Sequence, residues 1–300
     1  DTDPAAPTLH VADNAYLAPS VRDVGYIPFL SEIVRKEKIG LVVPLIDPEL
    51  PILADGKNVL RDAGAIVMVS GPDFIRVAED KLATAEVFRS LGLEVPLTMM
   101  LSSTQVRAIE KSLDYPCILK PRCGSSGAGV ILCSNREELE FYAKSKRDYI
   151  AQEYLDAIEV TIDVMTDGSG GVLNLVPRQR MKVRAGEVER GITIEDAFCR
   201  DTIIDIVKVM KPYGVINIQC YRQGLKVYYA EINARFGGGY PLADEAGAGF
   251  PEMAIDMASG AAVRPMLGCY AKDLVMSRYD SSVFIQAARL QILTKHAHGI

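Results

Sequence analysis

Three groups of residues have types and spacings that can do chemistry. The first is Ile118-Leu119-Lys120, then PRCGSSGAG, then Val130-Ile131-Leu132, which reads as strand, glycine-rich loop, strand. Small residues at Gly124, Ser125, Ser126, Gly127, Ala128 and Gly129 let backbone N–H groups approach an anion with no side chain between. Lys120 adds a fixed cation at the loop's entrance, so the loop can cover a triphosphate. It is not a Walker loop, because no Gly-Lys-Ser/Thr follows and the next element is a strand. Taken alone, a glycine-rich hairpin is more often a plain turn. Cys123 lies in this loop and is the one thiol placed for reactivity; mere tolerance is the simpler reading.

The second group is Glu231-Ile232-Asn233 at the end of a strand, where period two puts the Glu231 carboxylate and the Asn233 amide on one face. Gln219 lies on the preceding strand, and three oxygen ligands suit Mg²⁺ held jointly with nucleotide phosphates. The competing reading is a solvated polar face, but Tyr228, Tyr229, Ala230 and Ile232 make the strand look buried, and buried carboxylates need a partner. With a loop of only Gln223-Gly224, Gln219 would pair with Tyr228 and face away from Glu231. A loop with an odd number of residues, Gly224 being left-handed, is therefore expected. The third group, Gln152-Glu153-Tyr154-Leu155 followed by Glu159, can offer an extended hinge to an adenine edge and a carboxylate to a ribose; read alone it is weak.

These groups need elements to position them. Continuous apolar runs over 39–46 and 65–70 read as buried parallel strands, separated by a helix over 49–64 and followed by a short one over 72–79, which predicts an open α/β layer. A helix over 81–92, a strand over 95–101 and a helix over 104–113, capped by Ser103 or Thr104, read as a bridge. A small lobe follows: strands over 117–120, 130–133 and 149–153, with a helix over 136–146. A β-rich region from 159 through 172–182 is interrupted by a charged loop over 183–191. A helix ending near Lys211, strands over 215–221 and 226–233, a glycine-rich loop and a helix over 252–259 complete the reading. No internal repeat or low-complexity linker is found.

The 300 residues carry a formal charge of −6, which gives no electrostatic footprint for nucleic acid. No apolar run approaches the roughly 20 residues that span a bilayer, and the N-terminus lacks the order of a signal peptide, so no membrane partner is expected. Six cysteines without a CxxC pair favour reduced thiols and a cytoplasmic setting. Three histidines, His10, His296 and His298, are too scattered for a zinc site or a catalytic triad, so metal chemistry must rest on oxygen ligands.

The order of these motifs resembles the ATP-grasp superfamily, and within it the proteins similar to the large subunit of carbamoyl-phosphate synthase. The resemblance covers roughly residues 80 to 265, through Asp80-Lys81, the run from Tyr115 to Pro121, the GSSGAG loop, Gln152-Glu153-Tyr154-Leu155, Gln219, Glu231-Ile232-Asn233-Ala234-Arg235 and Gly249-Phe250-Pro251. It implies an α/β (α+β) ATP-grasp fold: a Rossmann-like pre-grasp domain over 1–79 lacking its first strand, with Asp1 to Asp3 ending the second, and a grasp domain over 80–300. The grasp domain would hold a lid lobe near 115–155 and a larger β-rich lobe. The resemblance also implies that Lys81 and Lys120 contact ATP phosphates, that Glu153, Tyr154 and Leu155 form the adenine segment, and that Glu159 meets the ribose. Gln219, Glu231 and Asn233 would bind Mg²⁺ or Mn²⁺, and Arg235 would steady the transferred phosphoryl group. Gln219 stands where the commoner pattern has an acid. Arg178, Arg180 and Arg184 resemble the substrate-side loop, suited to a carboxylate or phosphate, or else form a solvated hairpin face; Gly237 and Gly238 stand just beyond the metal strand, where a carboxylate would lie.

The function implied is an ADP-forming ligase that phosphorylates a carboxylate for attack by an amine or other nucleophile. Its partners would be small molecules, and a homodimer is allowed. Phosphorylation of bicarbonate or carbamate, or a silent ATP-binding regulator, are the alternatives.

Overall fold

The computed structural model describes residues 1–124, 127–288 and 290; Ser125, Ser126, His296 and His298 lie outside the described residues. Two compact units are present. One comprises residues 1–42 and 55–67 with the described residues from Arg278 on, and the other comprises 43–54 and 68–277.

In the first unit, helix α1 (Tyr26–Glu37) precedes strand β1 (Leu41–Val42), helix α2 (Leu50–Ala63) begins in the other unit, and β2 (Ile66–Val67) pairs parallel with β1. The expected strands over 39–46 and 65–70 thus shrink to two paired residues each. Pro44 has no N–H to donate to a ladder, so the first run leaves the pairing there. Asp1 to Asp3 lie in no strand.

The second unit opens with α3 (Pro72–Glu79) and α4 (Lys81–Ser90). Asp80 separates them, and its carboxylate accepts from the N–H groups of Leu82 at 3.0 Å and Ala83 at 3.4 Å, capping α4. The same carboxylate receives Arg122 Nε at 2.8 Å, and Lys81 N donates to Arg122 O at 3.1 Å. The first turn of α4 is therefore fastened to the entrance of the glycine loop, which brings Lys81 beside it.

The small lobe consists of β3 (Thr98–Met100), α5 (Val106–Ser112), β4 (Cys117–Pro121), β5 (Ile131–Cys133), α6 (Arg136–Ser145) and β6 (Tyr149–Glu153). The strands form an antiparallel sheet in the order β3-β6-β4-β5, and Leu119, Ile109, Leu139 and Cys133 bury one of its faces. Strand alternation puts Leu119 into this core and Lys120 on the opposite face. Gln105 rather than Ser103 or Thr104 precedes α5, with no side-chain cap.

The larger sheet runs β11-β10-β7-β8-β9-β12. Its members are β7 (Ile158–Asp167), β8 (Val172–Arg184), β9 (Glu187–Thr193), β10 (Tyr213–Gln223), β11 (Lys226–Asn233) and β12 (Val275–Ser277). Helix α7 (Arg200–Met210) precedes β10, and α8 (Tyr240–Glu245) and α9 (Phe250–Ser259) follow β11. The charged stretch over 183–191 is not a loop but a continuation of the sheet: β8 turns into β9 at Ala185 and Gly186, both at positive φ. Its alternating charges lie on a half-solvated hairpin, a pattern that reads as loop when only hydropathy is followed. The glycine-rich segment after β11 likewise contains α8.

Leu119 is fully buried in the small-lobe core. Leu119→Ala is expected to lower the unfolding free energy by about 2–5 kcal/mol, read as a lower urea midpoint at unchanged slope.

Candidate active site

The hairpin β10–β11 decides which residues share a face. Gln223 pairs with Lys226, so the connection is the two-residue turn Gly224-Leu225, with Gly224 at φ +61. The odd loop expected from the sequence is thus corrected. That turn alone would set Gln219 opposite Ala230 and turn Glu231 to the far side of the sheet. The register shifts between Cys220 and Gln219: Cys220 pairs with Tyr229, whereas Gln219 pairs with Glu231 and Asn217 with Asn233. Ala230 is the extra residue of a β-bulge, and the bulge restores the common face that an odd loop was expected to provide.

On that face, Asn217, Gln219 and Tyr221 of β10 stand beside Asp163, Thr161 and Glu159 of β7, and Thr161 in turn pairs with Arg178 of β8. Asn233 Nδ2 donates to Asn217 Oδ1 at 3.0 Å. From the small lobe, Lys120 Nζ reaches Glu231 Oε1 at 2.6 Å. Lys81 Nζ donates to Gly124 O at 2.7 Å. Together they enclose a cavity of about 420 Å³ whose lining includes Lys81, Lys120, Glu159, Arg178, Arg180, Gln219, Glu231, Asn233, Arg235 and Gly237 to Gly239. Gly124 and Gly127 border it at φ values of +129 and +67, which side chains rarely adopt.

The charges are arranged in pairs. Burial raises the Glu231 carboxyl, but the cations Lys120 and Lys81 outweigh it and hold Glu231 below the ordinary carboxylate range. Burial pulls the Lys81 ammonium down, offset in part by Glu231. Arg178, 1% exposed, gives Nε and NH2 to Asp163, while its buried NH1 has no partner. Arg180 pairs with Glu159 and donates NH2 to Gly186 O at 3.2 Å, leaving Nε buried without a partner. Arg235 is held by Asp47, with Nε to Oδ1 at 2.8 Å, and gives NH1 to Phe236 O at 2.9 Å. Gly239 has no room for a side chain, since a Cβ there would run into the Arg178 guanidinium.

The structure therefore brings together Lys81, Lys120, Gly124, Gly127, Glu159, Arg178, Arg180, Gln219, Glu231, Asn233, Arg235, Gly237 and Gly238. Glu153, Tyr154, Leu155, Gly129 and Arg184 do not line the cavity. The Glu153 carboxylate accepts from Leu97 N at 3.2 Å, Tyr154 is exposed, and Arg184 ends β8 exposed. Gln152 takes the inward position beside them, buried and donating to Thr98 Oγ1 at 2.8 Å. Sequence reasoning did not nominate Asn217, Thr161, Asp47 or Glu187. Asn217 was findable, because it sits two residues before Gln219 on one strand; Asp47 was not, because 188 residues separate it from Arg235.

Two lobes of antiparallel sheet that press a lysine-bearing strand and a glycine loop against a carboxylate-bearing strand define a nucleotide-gripping class of protein. Residues 78–239, more than half of the chain, match the ATP-grasp domain family, and the chain belongs to it. Residues 1–68 match the PylC-like N-terminal domain. The carbamoyl phosphate synthase large chain of Thermotoga sp. (strain RQ2) is 26% identical over 254 residues, covering 78% of this chain and 22% of that protein. The chain thus spans about a fifth of that relative's length. The biotin carboxylase domain of Hydrogenobacter thermophilus 2-oxoglutarate carboxylase matches with a TM-score of 0.72 at 18% identity, over 90% of this chain and 65% of that one. The N5-carboxyaminoimidazole synthetase of Staphylococcus aureus, complexed with ADP, gives 0.68 at 19%, over 87% and 70%. The structural likeness is one of fold. No helix among the described residues is long and apolar enough to cross a membrane.

Two expectations follow from the site's electrostatics. A carboxyl held low contributes stability that is complete above the ordinary carboxylate range and is lost as pH falls through its depressed value. In Lys120→Met, Glu231 should titrate at higher pH than in the parent, read by carbon NMR of labelled glutamate, and acid destabilisation should begin at higher pH. The Cys123 thiol is pushed up by burial and by Asp80, so it is a poor nucleophile at neutral pH; Cys123→Ser should leave nucleotide affinity within about twofold by calorimetry.

Proposed function

We propose that this chain is an ADP-forming ligase that uses ATP and magnesium to convert a carboxylate to an acyl phosphate, which an amine or another nucleophile then attacks. The observation that carries this reading is the convergence of Lys81, Lys120, Arg178, Arg180 and Arg235 on one cavity floored by Glu231 and Asn233. The buried, unpartnered NH1 of Arg178 and Nε of Arg180 suit a polyanion. Family membership supports the nucleotide, and the ADP and MgADP named for the two structural neighbours are in keeping with it.

The metal-facing donors are one carboxylate and two amide oxygens, Glu231, Asn233 and Gln219. All are hard oxygen donors, which fits an octahedral Mg²⁺ that keeps waters and shares phosphates. When bound there, magnesium supplies neutralisation of charge on the transferring phosphoryl group. Lys81 and Lys120 hold phosphate oxygens, the glycine loop donates backbone N–H groups and keeps water out, and Arg235, oriented by Asp47, steadies the transferred group. Phosphorylation of bicarbonate or carbamate is the second reading; it rests on the sequence similarity to the synthase large chain.

With a competent acid, added hydroxylamine should give a hydroxamate with stoichiometric ADP and phosphate. Glu231→Gln should suppress it, and Lys120→Ala should lower kcat/KM by roughly 10²–10³. Release of AMP and pyrophosphate would exclude this chemistry. Turnover with bicarbonate alone would select the second reading.

A further inference from the structure

A second cavity, of about 780 Å³, adjoins the first and shares Arg235, Gly237, Gly238 and Glu187 with it. Its walls are largely apolar: Leu45, Ile46, Pro48, Phe236, Pro241 and Pro251. Leu45 and Ile46 are 62% and 50% exposed. Its charges lean negative. Among the described residues its one lining cation, Arg235, is matched by Asp47, while Glu187 and Asp244 have no ion pair. Asp244 accepts a hydrogen bond from Tyr240 at 3.0 Å.

Glu187 stands apart from the other acids of the site. Glu231 is held by Lys120, Glu159 by Arg180, Asp163 by Arg178 and Asp47 by Arg235. Glu187 lies at the junction of the two cavities, its carboxylate so close to Gly238 that a Cβ there would collide with it. An unmatched carboxylate at the mouth of an apolar chamber attracts a cation whose body is hydrophobic, and repels an anionic acid.

We propose that this second cavity takes the nucleophile, an amine with an apolar body, with its ammonium received by Glu187; this rests on the ligase reading above. The ammonium passes one proton to Glu187, which frees the nitrogen lone pair. The C–N bond then forms as the C–O bond to the phosphoryl group breaks, inorganic phosphate leaves with the bonding pair, and the nitrogen's surplus proton goes to solvent. The carboxylate to be activated occupies the cationic side, and the two substrates meet at Gly237 and Gly238.

The test titrates three probes against the whole chain by ligand-observed NMR: phenethylammonium, phenylacetate and ethylammonium. Phenethylammonium should bind at least about tenfold more tightly than either of the others, and Glu187→Gln and Ile46→Ser, each verified as folded by its melting curve, should each weaken it at least about fivefold. Phenylacetate binding as tightly would overturn the charge assignment, ethylammonium binding as tightly would overturn the apolar one, and indifference to both substitutions would place the amine elsewhere. ADP release over an acid panel is measured separately. No ADP with any acid, while phenethylammonium binds as described, removes the ligase reading and leaves an amine site; ADP release without any preference among amines removes this inference alone.

Discussion

The contact between Lys120 and Glu231 is the constraint on which the rest of the site depends. It joins strands 111 residues apart, one from each lobe, and neither charge is free in water. Lys120 is 5% exposed, and the Glu231 side chain retains 22%. Deleting one partner of a fully buried pair costs roughly 3–5 kcal/mol through the charge left behind; the residual exposure of Glu231 reduces that figure here. The pair keeps the small lobe's cation and the large sheet's carboxylate in register, and the cation helps hold Glu231 below the ordinary carboxylate range.

What surrounds the pair repeats its logic. Arg178 with Asp163, Arg180 with Glu159 and Arg235 with Asp47 are each a cation fixed by one carboxylate, and in the first two one guanidinium nitrogen, NH1 of Arg178 and Nε of Arg180, is buried without a hydrogen-bond partner among the described residues. Donors locked in direction before a charge arrives need little reorganisation when it does. Gly237 and Gly239 let the Arg178 head approach the backbone, and Gly238 does the same for the Glu187 carboxylate.

The sequence made much of this legible. Lys120 at the loop entrance, the two-residue spacing of Glu231 and Asn233, and the strands of the small lobe are local patterns that survive translation into structure, whereas the apolar runs over 39–46 and 65–70 keep only two paired residues each. The hairpin parity did not translate, because a bulge at Ala230 costs one residue and leaves no mark in composition, yet it reverses the face of everything beyond it. Asp47 was hidden for a different reason: it lies in a segment that reads as part of the preceding α/β layer, and only the fold brings it to Arg235. The hinge residues Glu153 to Leu155 show the converse: the Glu153 carboxylate accepts from Leu97 N and Tyr154 is exposed, while Gln152 faces the cavity in their place.

Asp80 has two duties in the fold, capping α4 and receiving Arg122 from the glycine-loop entrance. Arg122 foremost holds its carboxyl below the ordinary range. Protonating that one group would loosen the start of the helix that carries Lys81 and the root of the loop in a single event, while the cores of both lobes stayed intact. Local opening of this kind belongs to the low-energy end of a protein's fluctuations. Because that carboxyl is held low, the fastening outlasts mild acid, and the start of the helix and the root of the loop come loose together only below the ordinary carboxylate range.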